Sequence, residues 1–197
     1  MAEPAPLDTG TLGPGEIEAL ARRIERPLVL VGLMGVGKTS VGRRLAAALR
    51  FGFEDADEAI EEAAQMSIAE IFERYGEPYF RSGERRVIAR LIEEAAGAPG
   101  KVIATGGGAF VDPETRALIL ERGTAIWLDS DLDTLVERVG RRPTRPLLKQ
   151  GDPREILDRL RAEREPAYAE APIRVESRGG PHQKTVSAIL RELDRCL

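Results

Sequence analysis

Three stretches of the chain are almost continuously apolar: PLVLVG (27–32), KVIAT (101–105) and TAIWLD (124–129). Short runs of this kind, partly β-branched and not alternating, predict strands buried on both faces. FGFED (51–55) and PIRVES (172–177) predict two further short strands. Elsewhere the apolar positions recur every three or four residues. KTSVGRRLAAALR places Val41, Leu45, Ala48 and Leu49 on one helical face. Helices are predicted likewise over GEIEALARRIER, DEAIEEAAQ, SIAEIFERYG, EPYFRSGERRVIARLIEEAAG, DPETRALILERG, DLDTLVERVG, PREILDRLRAEREPAYAEA and QKTVSAILRELDRCL. Ser67 with Glu70 spells a capping box, Asp112-Pro113 starts a helix and Gly123 stops it. Pro166 is expected to end the helix that begins near Pro153.

Strands alternating with helices predict an α/β fold. Its architecture is three layers: a five-stranded parallel sheet with helices on both faces. Residues 27–197 form that single domain, and residues 1–26 are an extension. Residues 1–14, rich in Pro, Gly and small side chains, are expected to be disordered. RRPTRPLLKQGDP has no apolar periodicity and predicts a basic loop.

Composition narrows the function classes. The 197 residues are 42% hydrophobic and 31% charged, as in an ordinary globular domain. A net charge of −4 and 5% aromatic content argue against a nucleic-acid partner. Any phosphate site must therefore rest on a local group of cations. No run approaches the ~20 apolar residues of a membrane span, and MAEPAPLDTG lacks the features of a secretory signal. Cys196 is the only cysteine, so no disulfide forms within the chain, which points to a reducing, cytoplasmic setting. His182 is the only histidine and suggests no histidine chemistry.

The chemistry concentrates in five places. GLMGVGKTS (32–40) fits G-x-x-x-x-G-K-[ST] with Gly32, Gly37, Lys38 and Thr39. The glycines turn backbone N–H groups toward a phosphate, and the following helix points its positive end there. Lys38 neutralises the terminal phosphates, and Thr39 offers a hydroxyl to Mg²⁺. DAD sets Asp55 and Asp57 at the end of the second strand, on one face, for a metal's water shell and an acceptor hydroxyl. Asp57 also stands where a helix N-cap would. Gly106, Gly107 and Gly108 follow the third strand, at the end of the sheet where α/β crevices form. Arg81 in PYFRSGE offers a fork for a carboxylate, although on its own a surface pair with Glu84 at i,i+3 is the better account of it. Arg141, Arg142, Arg145 and Lys149 supply the local cations, as a lid at about 140–152 closing over phosphates.

Taken together, GLMGVGKTS, DADEAIE, IAEIFERYGEPYFRSGE, ATGGGAF, TRPLL and EREPAY resemble the shikimate kinase family over about residues 27–195. The resemblance implies a P-loop kinase fold with a mobile lid, and transfer of the ATP γ-phosphoryl group to the 3-hydroxyl of shikimate, with Mg²⁺. It implies that Lys38 and the backbone of Gly35, Val36, Gly37, Thr39 and Ser40 hold ATP phosphates. Thr39 would ligate the metal and Asp55 would support it through water. Asp57 would bind shikimate hydroxyls, Arg81 and Arg164 its carboxylate, and Gly106, Gly107 and Gly108 would present N–H groups. Phe72 and Phe80 would wall the pocket, Arg145 would reach the phosphates, and Arg138 would lie near the adenine. The adenine loop ESRGGPHQ matches only loosely. A monomer acting on small molecules is expected. A gluconate kinase would share the P-loop and lid, but not PYFRSGE paired with GGG. A guanine-nucleotide switch would need N-K-x-D, which is absent from the sequence.

Overall fold

The computed structural model describes residues 12–95, 100–140, 151–177 and 180–197. Its centre is β1 (Leu28–Val31), with no residue of the strand exposed. Each of these side chains contributes about 1.5–3 kcal/mol by leaving water. The sheet order is β2 (Gly52–Asp55), β3 (Lys101–Ala104), β1, β4 (Thr124–Asp129), β5 (Ile173–Glu176), with every neighbouring pair parallel. Leu28 pairs with Val102 on one side and Thr124 on the other.

Eight helices occur among the described residues: α1 (Pro14–Arg23), α2 (Lys38–Leu49), α3 (Ala56–Ala64), α4 (Ile68–Glu94), α5 (Pro113–Arg122), α6 (Leu132–Gly140), α7 (Pro153–Tyr168) and α8 (His182–Cys196). α2 packs on α8 and on the sheet, with α1 against both helices. α4 and α5 pack together on the other face, as right-handed crossovers that run in the same direction along the sheet, from β2 to β3 and from β3 to β4, require. The chain leaves β1 toward β2 and later leaves β3 toward β4. The switch in direction falls beside β1 and opens the crevice at its carboxyl end.

Four expectations change in detail. Leu12, Gly13 and Pro14 are ordered rather than loose. Pro14 opens α1, the Gly13 N–H donates to Glu16 Oε2 at 2.6 Å, and Leu12 packs against the core. The two helices expected around Gly76 run into one another, broken only by Gly76 at φ 77°, ψ 176°. Pro166 does not end α7, which continues to Tyr168. Tertiary bonds of Tyr168, described below, outweigh the one backbone bond that proline removes. Asp57 lies in the first turn of α3 rather than on β2. The N-cap is Asp55, whose Oδ1 accepts from the Asp57 N–H at 3.0 Å.

Candidate active site

All five strands end on one side of the sheet, and each delivers a piece of one crevice. After β1 the backbone turns through Gly35 at φ 83° and Gly37 at φ 99°, left-handed conformations that a side chain resists. α2 then starts at Lys38, so its first N–H groups have no helical acceptor and face the crevice. Lys38 Nζ donates to the Gly32 carbonyl at 2.7 Å and the Leu33 carbonyl at 3.0 Å. Thr39 Oγ1 donates to Asp55 Oδ2 at 2.7 Å, joining the first turn of α2 to the end of β2.

The far side of this loop is stitched to the ends of β4 and β5. Ser177 Oγ and Arg138 Nη1 both donate to the Val36 carbonyl, each at 3.0 Å. Arg138 also reaches Ser177 Oγ at 3.3 Å, and Ser130 Oγ donates to the Ser177 carbonyl at 2.8 Å. His182 opens α8 against the same loop. A Cβ on Gly37 would stand 3.2 Å from its Cε1 and 3.8 Å from Arg138 Nη1. Burial, then Arg138 and Arg44, hold His182 below its ordinary pKa, so it stays neutral at pH 7.

On the other side of the P-loop lies the triple-glycine turn after β3. The carbonyls of this turn are all occupied. Gly106 accepts from the Ala109 N–H at 3.3 Å and Gly108 from the Val111 N–H at 3.1 Å. Gly107 accepts from Arg164 Nη1 at 3.0 Å and from Tyr168 Oη at 2.5 Å. Among the described residues, the N–H groups of the three glycines meet no protein acceptor. The turn therefore presents bare donors, as the run of glycines suggested. It also lies close to its surroundings: a Cβ on Gly106 would stand 2.8 Å from Glu84 Oε1 and 2.9 Å from Asp57 Oδ1. On Gly107 it would stand 3.3 Å from the Met34 nitrogen, which brings this turn against the P-loop.

Arg81 completes this half of the site. It bonds Glu84 Oε2 at 2.6 Å and Glu77 Oε1 at 3.1 Å, and lies 5.2 Å from the Phe80 ring centre. Burial opposes its charge, and the two glutamates overcome that and hold its pKa above the ordinary value. The Arg81–Glu84 pair is the one expected from i,i+3 spacing, yet it is no surface pair, because Glu84 is only 1% exposed. Burial drives the Glu84 carboxyl above its ordinary pKa against the pull of Arg81, with Asp57 and Asp112 adding to the rise. Among the described residues its Oε1 finds no hydrogen-bond partner. Phe80 is buried and Phe72 is 37% exposed, their rings 4.6 Å apart.

The structure thus gathers Gly35 to Ser40, Asp55, Asp57, Arg81, Gly106 to Gly108, Arg138 and Arg164 at one end of the sheet. Arg145 and the other cations of its loop lie outside the described residues. Glu84, Tyr168, Ser177 and His182 were not picked out as site residues from the sequence. Each lies in a stretch singled out in the sequence: Glu84 ends PYFRSGE, Tyr168 ends EREPAY, and Ser177 and His182 fall in ESRGGPHQ, but none was given a role there.

The donor set suits Mg²⁺. Thr39 and Asp55 are hard oxygen donors placed beside the phosphate loop, and Mg²⁺ usually takes one or two such groups plus water and substrate phosphates. Among the described residues no group of three or more His, Cys, Asp or Glu forms a cage, and this kind of site requires none.

Comparison with known proteins agrees with this geometry. A family model described as shikimate kinase matches residues 34–194. A shikimate kinase of Novosphingobium aromaticivorans is 65% identical over 190 residues, covering 96% of this chain and 98% of that protein. The structure of a shikimate kinase from Acinetobacter baumannii in complex with shikimate superposes with a TM-score of 0.82 at 34% identity, covering 89% of this chain and 98% of that one. A gluconokinase from Sinorhizobium meliloti shares the fold at a TM-score of 0.58 and 17% identity, over 88% of this chain and 94% of that one. Sequence, fold and crevice lead to one placement: the chain belongs to the shikimate kinase family and is an ATP-dependent kinase.

Proposed function

We propose that the chain transfers the γ-phosphoryl group of ATP to the 3-hydroxyl of shikimate, giving shikimate 3-phosphate and ADP for aromatic amino-acid synthesis. The observation that carries this reading is the convergence of Arg81, Arg164, Asp57 and three unpaired glycine N–H groups beside the P-loop. A small acid with three hydroxyls needs such a set: forks for its carboxylate, one carboxylate for its hydroxyls, and backbone donors.

Each residue then has a task. The N–H groups from Gly35 to Ser40 cradle the ATP phosphates, and Lys38 moves from the loop's own carbonyls to the β,γ-oxygens. Thr39 and Asp55 would hold Mg²⁺, which when bound offsets phosphate charge. Asp57 accepts a hydrogen bond from the attacking hydroxyl, orients it and takes its proton late. Arg81 and Arg164 fix the shikimate carboxylate, Phe72 and Phe80 form an apolar wall, and Arg138 borders the adenine. Positioning supplies most of the rate, because phosphoryl transfer has a loose transition state.

The catalytic unit is read as a monomer. No helix among the described residues is long and apolar enough to cross a membrane. With its lone cysteine, the protein is read as cytoplasmic. The test is ADP release with shikimate, gluconate, a nucleoside monophosphate or no acceptor. Turnover with shikimate alone is expected, and turnover with gluconate alone would replace the acceptor.

A further inference from the structure

The Gly107 carbonyl is held from two directions. Arg164 and Tyr168 sit one turn apart on α7, and both donate to it. Tyr168 is 1% exposed, and burial pushes its hydroxyl up to about 12 against the pull of Arg164 and Arg81, so it remains a donor at every working pH. Its ring stacks on Trp127 of β4, with centres 5.9 Å apart. Trp127 in turn stands against the P-loop, its Cδ1 3.4 Å from where a Cβ of Gly32 would be. A chain of contacts therefore runs from Gly32 through Trp127 and Tyr168 to Gly107.

In a trans peptide the carbonyl and the following N–H point in opposite directions. Holding the Gly107 carbonyl on α7 thus turns the Gly108 N–H away from Arg164 and Tyr168. That N–H has no protein acceptor among the described residues. Glycine allows this peptide many orientations, so something outside the turn must choose one. Arg164 alone is a poor choice for the task. If it swings to a substrate carboxylate, its hold on the carbonyl weakens as the acceptor arrives. Tyr168, buried and stacked, cannot follow it.

We infer that Tyr168 is a positioning residue for the phosphoryl acceptor, fixing the Gly107–Gly108 peptide through its hydroxyl while Arg164 engages the substrate. Tyr168 touches neither substrate, and its effect passes through the backbone N–H groups. This rests on the assignment of the glycine turn to the acceptor site.

The test is Tyr168→Phe, which removes one oxygen and keeps the ring against Trp127. Arg164 still satisfies the carbonyl in the free enzyme, so the variant folds. Losing one orienting hydrogen bond is expected to raise the shikimate KM about fivefold to tenfold, with the ATP KM within about twofold. The Kd for shikimate measured by calorimetry without nucleotide should rise by a similar factor, and the melting temperature should move little. An unchanged shikimate KM and Kd overturns the inference. So does an equal rise in both KM values with a large fall in melting temperature, which would make Tyr168 a core residue only. The acceptor in all arms is the one that turns over with the wild-type enzyme. Failure of shikimate there refutes the acceptor assignment separately, and the Phe comparison is then made with the acceptor that works.

Discussion

Replacing Gly108 with alanine should damage acceptor binding while sparing the fold. A Cβ at this position would stand 2.5 Å from Arg81 Nη2 and 2.6 Å from Nη1. Ordinary contact begins near ~3.5 Å, so the guanidinium must retreat by about 1 Å. A shift of that size directed away from Glu84 takes the 2.6 Å bond to about 3.6 Å, where it no longer holds, and in any other direction it still moves the fork off its position. The obstacle is the flexible end of a side chain, and Gly108 does not have a left-handed φ, so the backbone accepts alanine. The smaller unfolded-state entropy of alanine contributes about 0.4–1 kcal/mol, which offsets part of the displacement. A misplaced fork loses a charge-assisted bond to the acceptor carboxylate, about 2 kcal/mol, or roughly 30-fold in the shikimate KM. Initial rates of ADP release, varying shikimate at saturating ATP and then the reverse, separate the two KM values. Gly83→Ala, on α4 two residues from Arg81 but facing open space, is the control and should leave both unchanged. A Gly108→Ala enzyme whose shikimate KM stays within about twofold of wild type would refute the placement of Arg81 in the acceptor site.

Lys38→Ala should abolish turnover with little change in melting temperature, because the Lys38 ammonium is only partly buried and bonds the Gly32 and Leu33 carbonyls of the phosphate loop rather than packing in the core; substantial turnover at saturating ATP would count against the phosphate role. Arg164→Lys should recover only part of the shikimate affinity lost in Arg164→Ala, since a point charge cannot replace the planar fork; full recovery in steady-state kinetics would show that charge alone suffices. Glu84 binds its proton more tightly in the folded protein than at its ordinary pKa of 4.5. Its stabilising contribution is therefore present below pH 4.5 and lost as pH rises through the raised value. Glu84→Gln should flatten this part of the pH dependence of the urea midpoint, and an unchanged slope would contradict the burial argument.

The layers of the fold were legible because β1, β3 and β4 are buried on both faces and show it as unbroken apolar runs. The phosphate loop was legible because its chemistry is local to nine residues. What escaped depends on contacts distant in sequence. An Arg–Glu pair at i,i+3 reads the same on a surface as in a core, and only the approach of Gly106 and α3 buries Glu84. Ser177 lies 141 residues from Val36, and no periodicity links them. Pro166 looked like a stop because local propensity was judged without Tyr168. Asp55 and Asp57 look alike as a strand pair, but the strand ends at the first of them, and capping takes it.

The break at Gly76 bears on how such an enzyme changes its taste. α3 packs chiefly on α4, and the segment from Ala56 to Gly76 joins the sheet at Asp55 and rejoins the long helix at one glycine. It carries Asp57 and Phe72, whereas the phosphate loop and the Thr39 hydroxyl belong to the end of β1 and the start of α2. Insertions or exchanges inside that segment can therefore reshape one wall of the acceptor pocket without retuning the ATP machinery. In a lineage of kinases built on this sheet, this stretch is where new acceptor preferences should accumulate first.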